Sequence, residues 1–127
     1  MDKQIKVLIA DDVPTMQKLL KQSLEGLGCT VDAVVADGHE ALKQINVIQP
    51  DIAFLDIDMP IKTGIDVLEE LSLSTIKVYP VIVSGLSTSV NVKTALELGA
   101  KGFVVKPYTV SKLEQILQKY KSDTDNL

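Results

Sequence analysis

Five times along this chain a short, nearly unbroken apolar run gives way to a segment whose apolar residues recur every three or four positions. The runs are "IKVLIA" from Ile5, "TVDAVVA" from Thr30, "DIAFLD" from Asp51, "VYPVIVS" from Val78 and "GFVV" from Gly102. Runs this short and rich in Val, Ile and Leu suit strands buried on both faces. The segments between them have helical periodicity and helical punctuation. "PTMQKLLKQSLEGLG" starts on Pro14, a favoured first helical residue, and stops at Gly28. Its Met16, Leu19, Leu20, Leu24 and Leu27 form the expected buried stripe. "HEALKQINVIQ" follows the turn signal Asp37-Gly38 and ends before Pro50. "IDVLEELSL", "TSVNVKTALELG" and "TVSKLEQILQKY" follow in turn; in the last, Val110, Leu113, Ile116, Leu117 and Tyr120 should face inward. Five strand–helix units in series predict an α/β domain, with one parallel sheet, helices on both faces and right-handed crossovers. The polar end "KSDTDNL" is expected to fray.

In such sheets the chemistry collects at the carboxyl ends of the strands. Here those ends carry Asp11-Asp12, Asp56, Ser84 and Lys106. Taken singly, an Asp after a strand is an ordinary helix cap, Ser before Gly a turn, and Lys before Pro a solvated residue. The joint pattern is far less ordinary, because each polar group lies where a core strand exits. Clustered carboxylates raise one another's pKa and call for cations. Lys106 supplies one, and Mg2+ or Mn2+ suits a site of oxygen donors. An Asp nucleophile, a metal, a Lys and a hydroxyl together describe phosphoryl transfer.

Composition narrows the partners. The 127 residues suit one domain, and the net charge of −4 with no basic stripe argues against a nucleic-acid binder. The single cysteine, Cys29, allows no internal disulfide, and no apolar run reaches the roughly 18 residues that span a bilayer. A cytoplasmic protein without a membrane partner is the expectation.

The ordered set "VLIADD", "PDIAFLDIDMP" with Gly64 eight residues after Asp56, "PVIVSG" and "ALELGAKGFVVKPY" closely resembles the receiver domain of two-component response regulators, over about residues 4 to 120. The resemblance implies a flavodoxin-like three-layer fold with strand order 2-1-3-4-5. Residues 1–121 would form the receiver, and 122–127 a tail or the start of a linker. It implies that Asp56 accepts a phosphoryl group from a histidine kinase or phosphotransfer protein. Asp12 would ligate the metal directly, Asp11 largely through water, Asp56 by its carboxylate and Asp58 by its backbone carbonyl. Lys106, held by a cis Lys106-Pro107 bond, would pair with Asp56; Ser84 and Phe103 would be the switch pair. Helix four, strand five and helix five would then present a changed face to a downstream protein or output domain. Ser84 stands where Thr is commoner in this family, and Phe103 where Tyr is also common.

Three alternatives share features with this reading. "FLDIDMP" also fits the Asp-x-Asp of a haloacid-dehalogenase-type phosphatase, but that motif usually follows the first strand rather than the third. A flavodoxin-like flavin module needs a hydroxyl- and glycine-rich phosphate loop where this chain has "ADDVPTMQK". A degenerate receiver that only docks proteins would not need the acid set with Lys106. Among single residues, His39 reads as a surface or cap residue, Cys29 as partly buried and inert, Met59 as packed beside the site, and Tyr108 as exposed at the start of the last helix.

Overall fold

The computed structural model describes residues 4–85 and 89–125. Five parallel strands, β1 (Lys6–Ala10), β2 (Thr30–Val35), β3 (Ile52–Asp56), β4 (Tyr79–Ser84) and β5 (Gly102–Val105), lie in the order β2-β1-β3-β4-β5. They alternate with α1 (Pro14–Gly26), α2 (Gly38–Ile48), α3 (Gly64–Ser72), α4 (Ser89–Glu97) and α5 (Val110–Asp125). Alternate side chains of each strand enter opposite layers. Val7 and Ile9 join Phe54, Val81, Val104 and residues of α1 and α5 in one apolar cluster. Leu8, Ala10, Leu55 and Ile82 join residues of α2, α3 and α4 in the other. β3 and β4 are buried along their whole length, as the runs in the sequence require.

The sequence stripe of α1 is narrower than the spacing suggested. Leu20 and Leu24 are buried, but Leu19 is half exposed. Leu20 and Leu24 stack four apart, whereas Leu19 is one residue and so about 100° around the helix from Leu20. Val110, the first residue of α5, is likewise exposed; Leu113, Ile116 and Leu117 are the buried residues.

Asp37-Gly38 is not a free turn but a helix start. The Asp37 side chain accepts the Glu40 amide at 2.8 Å as N-cap of α2, and His39 is exposed in the first turn. α3 opens on a capping box in which Thr63 and Asp66 satisfy each other's backbone amides.

Where fraying was expected, α5 continues to Asp125. The Tyr79 hydroxyl donates to Asp123 Oδ2 at 2.7 Å, and Lys119 reaches the same carboxylate at 3.3 Å. The Tyr120 ring packs edge-on against Tyr79 at 5.1 Å. These contacts tie the helix's last turns to the amino end of β4. The Tyr79 hydrogen bond, aided by Lys119, holds the Asp123 carboxyl below its ordinary range. A depressed carboxyl stabilises the fold fully above the ordinary Asp value of about 3.9, and that contribution disappears as pH falls through the depressed one. Tyr79→Phe should therefore lower the melting temperature at neutral pH, with the gap from wild type closing in strong acid. Melting curves across pH check this; a gap independent of pH would assign the loss to packing.

Candidate functional site

Strand register assembles the site before any loop contributes. Ala10 is paired with Leu55, so the next residues, Asp11 and Asp56, exit side by side. Asp56 pairs with Val83 and Ser84 with Val105, which sets Ser84 and Lys106 at the same rim. Lys106 Nζ donates to Asp11 Oδ2 at 2.7 Å and to Asp56 Oδ2 at 3.1 Å. Its amide donates to the Ser84 carbonyl at 2.8 Å, and the Lys106-Pro107 bond is cis. Ser84 is fully buried, and Phe103 is half-buried against the layer formed with α2, α3 and α4.

Asp11 and Asp56 are buried while Asp12 is exposed, and one carboxylate oxygen from each lies within 4.8 Å of the others. Asp11 Oδ1 also accepts the Val13 amide at 2.9 Å, which fixes its rotamer. Burial raises the Asp56 pKa and the Asp11 charge adds to the effect, against the opposing pull of Lys106 and the Asp58 backbone amide. A more basic carboxylate is a better nucleophile. For Lys106, burial works downward, but the Asp11 hydrogen bond and the Asp56 charge outweigh it and leave the ammonium above its ordinary value. It is thus a fixed cation at neutral pH.

Three hard oxygen donors on one rim fit a small divalent cation. Each carboxylate oxygen can accept more than one partner, so the Lys106 and Val13 contacts do not exhaust the set. The Asp58 side chain is exposed. Met59 is buried as expected, and Cys29 is more completely buried than expected, its thiol pushed up by desolvation. Tyr108 departs from expectation: it is half-buried, and its hydroxyl is enclosed.

Two supporting residues lacked a clear sequence signal. The Gln17 side-chain amide donates to the Asp11 and Val35 carbonyls, bracing the β1 exit from α1. Gly38 donates its amide to the Lys62 carbonyl at 3.1 Å, and a Cβ there would lie 2.3 Å from that oxygen. Its absence of a side chain lets α2 press against the loop after Asp56. The dipeptide Asp37-Gly38 announced a change of direction, but the contact crosses 24 residues and leaves no local mark.

Comparison with known proteins agrees with this geometry. The family model described as the response regulator receiver domain matches residues 7–118. The "Chemotaxis protein CheY" of Thermotoga maritima is 32% identical over 114 residues, covering 90% of this chain and 95% of that protein. The "Probable C4-dicarboxylate response regulator DctR" of Bacillus subtilis is 34% identical over 120 residues, covering 94% of this chain; the chain spans 53% of that protein's length. The structure titled a CheX-CheY-BeF3-Mg+2 complex, from Borrelia burgdorferi, superposes with a TM-score of 0.85 at 32% identity, covering 91% of this chain and 87% of that one. With the doubly wound sheet and the acid rim already in place, the chain belongs to the response regulator receiver domain family.

Proposed function

We propose that this receiver accepts a phosphoryl group on Asp56 and uses the change to switch a protein-binding face. The observation that carries the proposal is the buried Asp56 carboxylate held by Lys106, with Asp11 and Asp12 oxygens within 4.8 Å. An Asp56 oxygen attacks the phosphorus of a phosphohistidine on a kinase or phosphotransfer protein. A P–O bond forms as the P–N bond breaks, and the imidazole leaves with the electron pair and takes up a proton. Asp11, Asp12, Asp56 and the Asp58 carbonyl would hold Mg2+ or Mn2+, which offsets charge on the transferring oxygens. Lys106, bonded to Asp11 and Asp56, would balance the remaining charge. Ser84 supplies the hydroxyl that hydrogen-bonds the new phosphoryl oxygen, and Phe103, already beside β4, responds to its movement. The protein is then a phosphoacceptor rather than a turnover enzyme, and its place is the cytoplasm.

The face of α4, β5 and α5 suits a partner or output domain, since Leu96, Val105 and Val110 are exposed apolar residues on it. A partner that prefers the phosphorylated arrangement shifts the population by its differential affinity. Residues 122–127, of which those up to Asp125 continue α5, would serve as a tail or linker start.

The test is incubation with a small-molecule phosphodonor and Mg2+, followed by intact mass measurement. One acid-labile phosphoryl group per chain is expected, and chelation with EDTA should slow its uptake strongly. No uptake, or uptake equal with and without metal, would refute the proposal; a docking-only receiver predicts the former.

A further inference from the structure

Gln17 braces the β1 exit, but the chemistry proposed for Asp56 gives it no part. Its side-chain nitrogen donates to the Asp11 carbonyl at 2.5 Å and, more weakly, to the Val35 carbonyl at 3.4 Å. The Val35 carbonyl also accepts the Asp11 amide at 3.0 Å. The β1–β2 register ends at Ala10 and Val35, so Gln17 carries the join one residue further, to the first acid. The same residue closes the turn from the helix side. Its amide donates to the Val13 carbonyl at 3.0 Å, and the Val13 amide donates to Asp11 Oδ1 at 2.9 Å. Asp11 is therefore held at both its carbonyl and its carboxylate from the start of α1.

The Asp11 carbonyl belongs to the peptide that joins Asp11 to Asp12. A peptide unit is planar, so a hydrogen bond to its carbonyl fixes the plane, and with it the point from which the Asp12 side chain sets out. Asp12 is the exposed member of the acid set, yet it offers an oxygen within 4.8 Å of those of Asp11 and Asp56. A long side chain immobilised on two carbonyls gives up rotamer freedom that water in the same place would not cost. What it adds is orientation of the backbone. We infer that Gln17 is a positioning residue for the metal: it holds the Asp11–Asp12 peptide so that both carboxylates stay turned toward Asp56. Gln17 acts through these two acids and not by contact with the reacting groups. This rests on the phosphoacceptor reading, in which Asp11, Asp12 and Asp56 hold Mg2+ or Mn2+.

Two neutral substitutions separate orientation from packing and charge. Gln17→Met keeps the length and loses the donor; Gln17→Asn keeps the amide and is one methylene shorter. In both, affinity for Mg2+ alone, read by calorimetric titration, should fall about tenfold, the lower end of the loss when a supporting hydrogen bond is taken from a metal ligand. Melting temperature gives the second readout. In EDTA the variants should melt somewhat below the wild type. As Mg2+ is added the gap should widen, because each protein is stabilised according to its own affinity. A role in packing alone lowers the melting temperature equally with and without Mg2+ and leaves the affinity of the folded protein unchanged. Wild-type Mg2+ affinity in either folded variant, or a melting gap independent of Mg2+, overturns the inference. A wild type that binds no Mg2+ overturns the metal-assisted reading of Asp56 instead.

Discussion

Asp56→Asn is expected to abolish phosphoryl uptake while leaving a folded protein at least as stable as the wild type. The amide nitrogen has no available lone pair and the amide oxygen is a poor nucleophile, so the initial rate should drop by at least about a thousandfold, as when an activated nucleophile is deleted elsewhere. The stability half follows from electrostatics. Burial holds the Asp56 pKa up, with Asp11 beside it, so the fold disfavours the ionised carboxyl. A carboxyl whose folded pKa is raised binds its proton more tightly in the native state. Native stability accordingly falls as pH rises from the ordinary Asp value through the raised one. Asn carries no charge to bury, and Lys106 keeps Asp11 as its partner at 2.7 Å. In metal-free buffer the variant's advantage should be largest at neutral pH and vanish in acid. Intact mass after phosphodonor treatment and melting curves across pH check the two halves separately. A variant that still takes up one acid-labile phosphoryl group would move the acceptor to another residue.

Gly64→Ala should damage both the fold and the chemistry. Its Cβ would lie 2.3 Å from the Asp56 carbonyl oxygen and 2.9 Å from the carbonyl carbon. These are backbone atoms of the proposed phosphoacceptor, so no rotamer change relieves the overlap. The Gly64 amide also donates to the Ile57 carbonyl at 3.0 Å, which fixes how closely α3 approaches. Alanine would gain helix propensity worth at most about 1 kcal/mol over glycine in a helix interior, and less at this first helical position. The overlap should outweigh it, for a net loss of about 2 kcal/mol, within the range for overpacked sites. Denaturant unfolding would measure that loss, and phosphoryl uptake should slow as Asp56 is displaced. Gly26→Ala is the control, because a Cβ there meets nothing within 4 Å and Gly26 closes α1; it should be neutral or stabilising. Equal destabilisation by both substitutions would show that the overlap at Gly64 is not the cause.

The sheet could be read in the chain because its central strands β1, β3 and β4 are buried almost throughout and say so through apolar runs, although the edge strands β2 and β5 are only partly buried. β5 begins and ends where "GFVV" does. The candidate site was legible for a related reason: Asp11, Asp56 and Lys106 interrupt apolar sequence where β1, β3 and β5 leave the core, and parallel register then aligns them. Partner choice was less legible. Lys106 was expected to pair with Asp56, yet its shorter contact is to Asp11, a matter of tenths of an ångström that no spacing rule encodes. Helix ends were misread where long-range contacts set them. The segment from Lys121 onward is polar and looks loose in one dimension, but Tyr79, 44 positions earlier than Asp123, holds it. Tyr108 was misplaced for the same reason, since it packs against the layer formed with α1 and α5, a contact that no local pattern announces.

Lys106 stands 95 positions from Asp11 and 50 from Asp56. A chain emerging from its amino terminus therefore presents the clustered Asp11, Asp12 and Asp56 well before the cation that offsets their crowding. A chain ending before β5 lacks the ammonium that both the Asp11 and the Asp56 carboxylates contact. On the phosphoacceptor proposal, competence to receive a signal is therefore acquired late in synthesis, once Lys106 is in the chain.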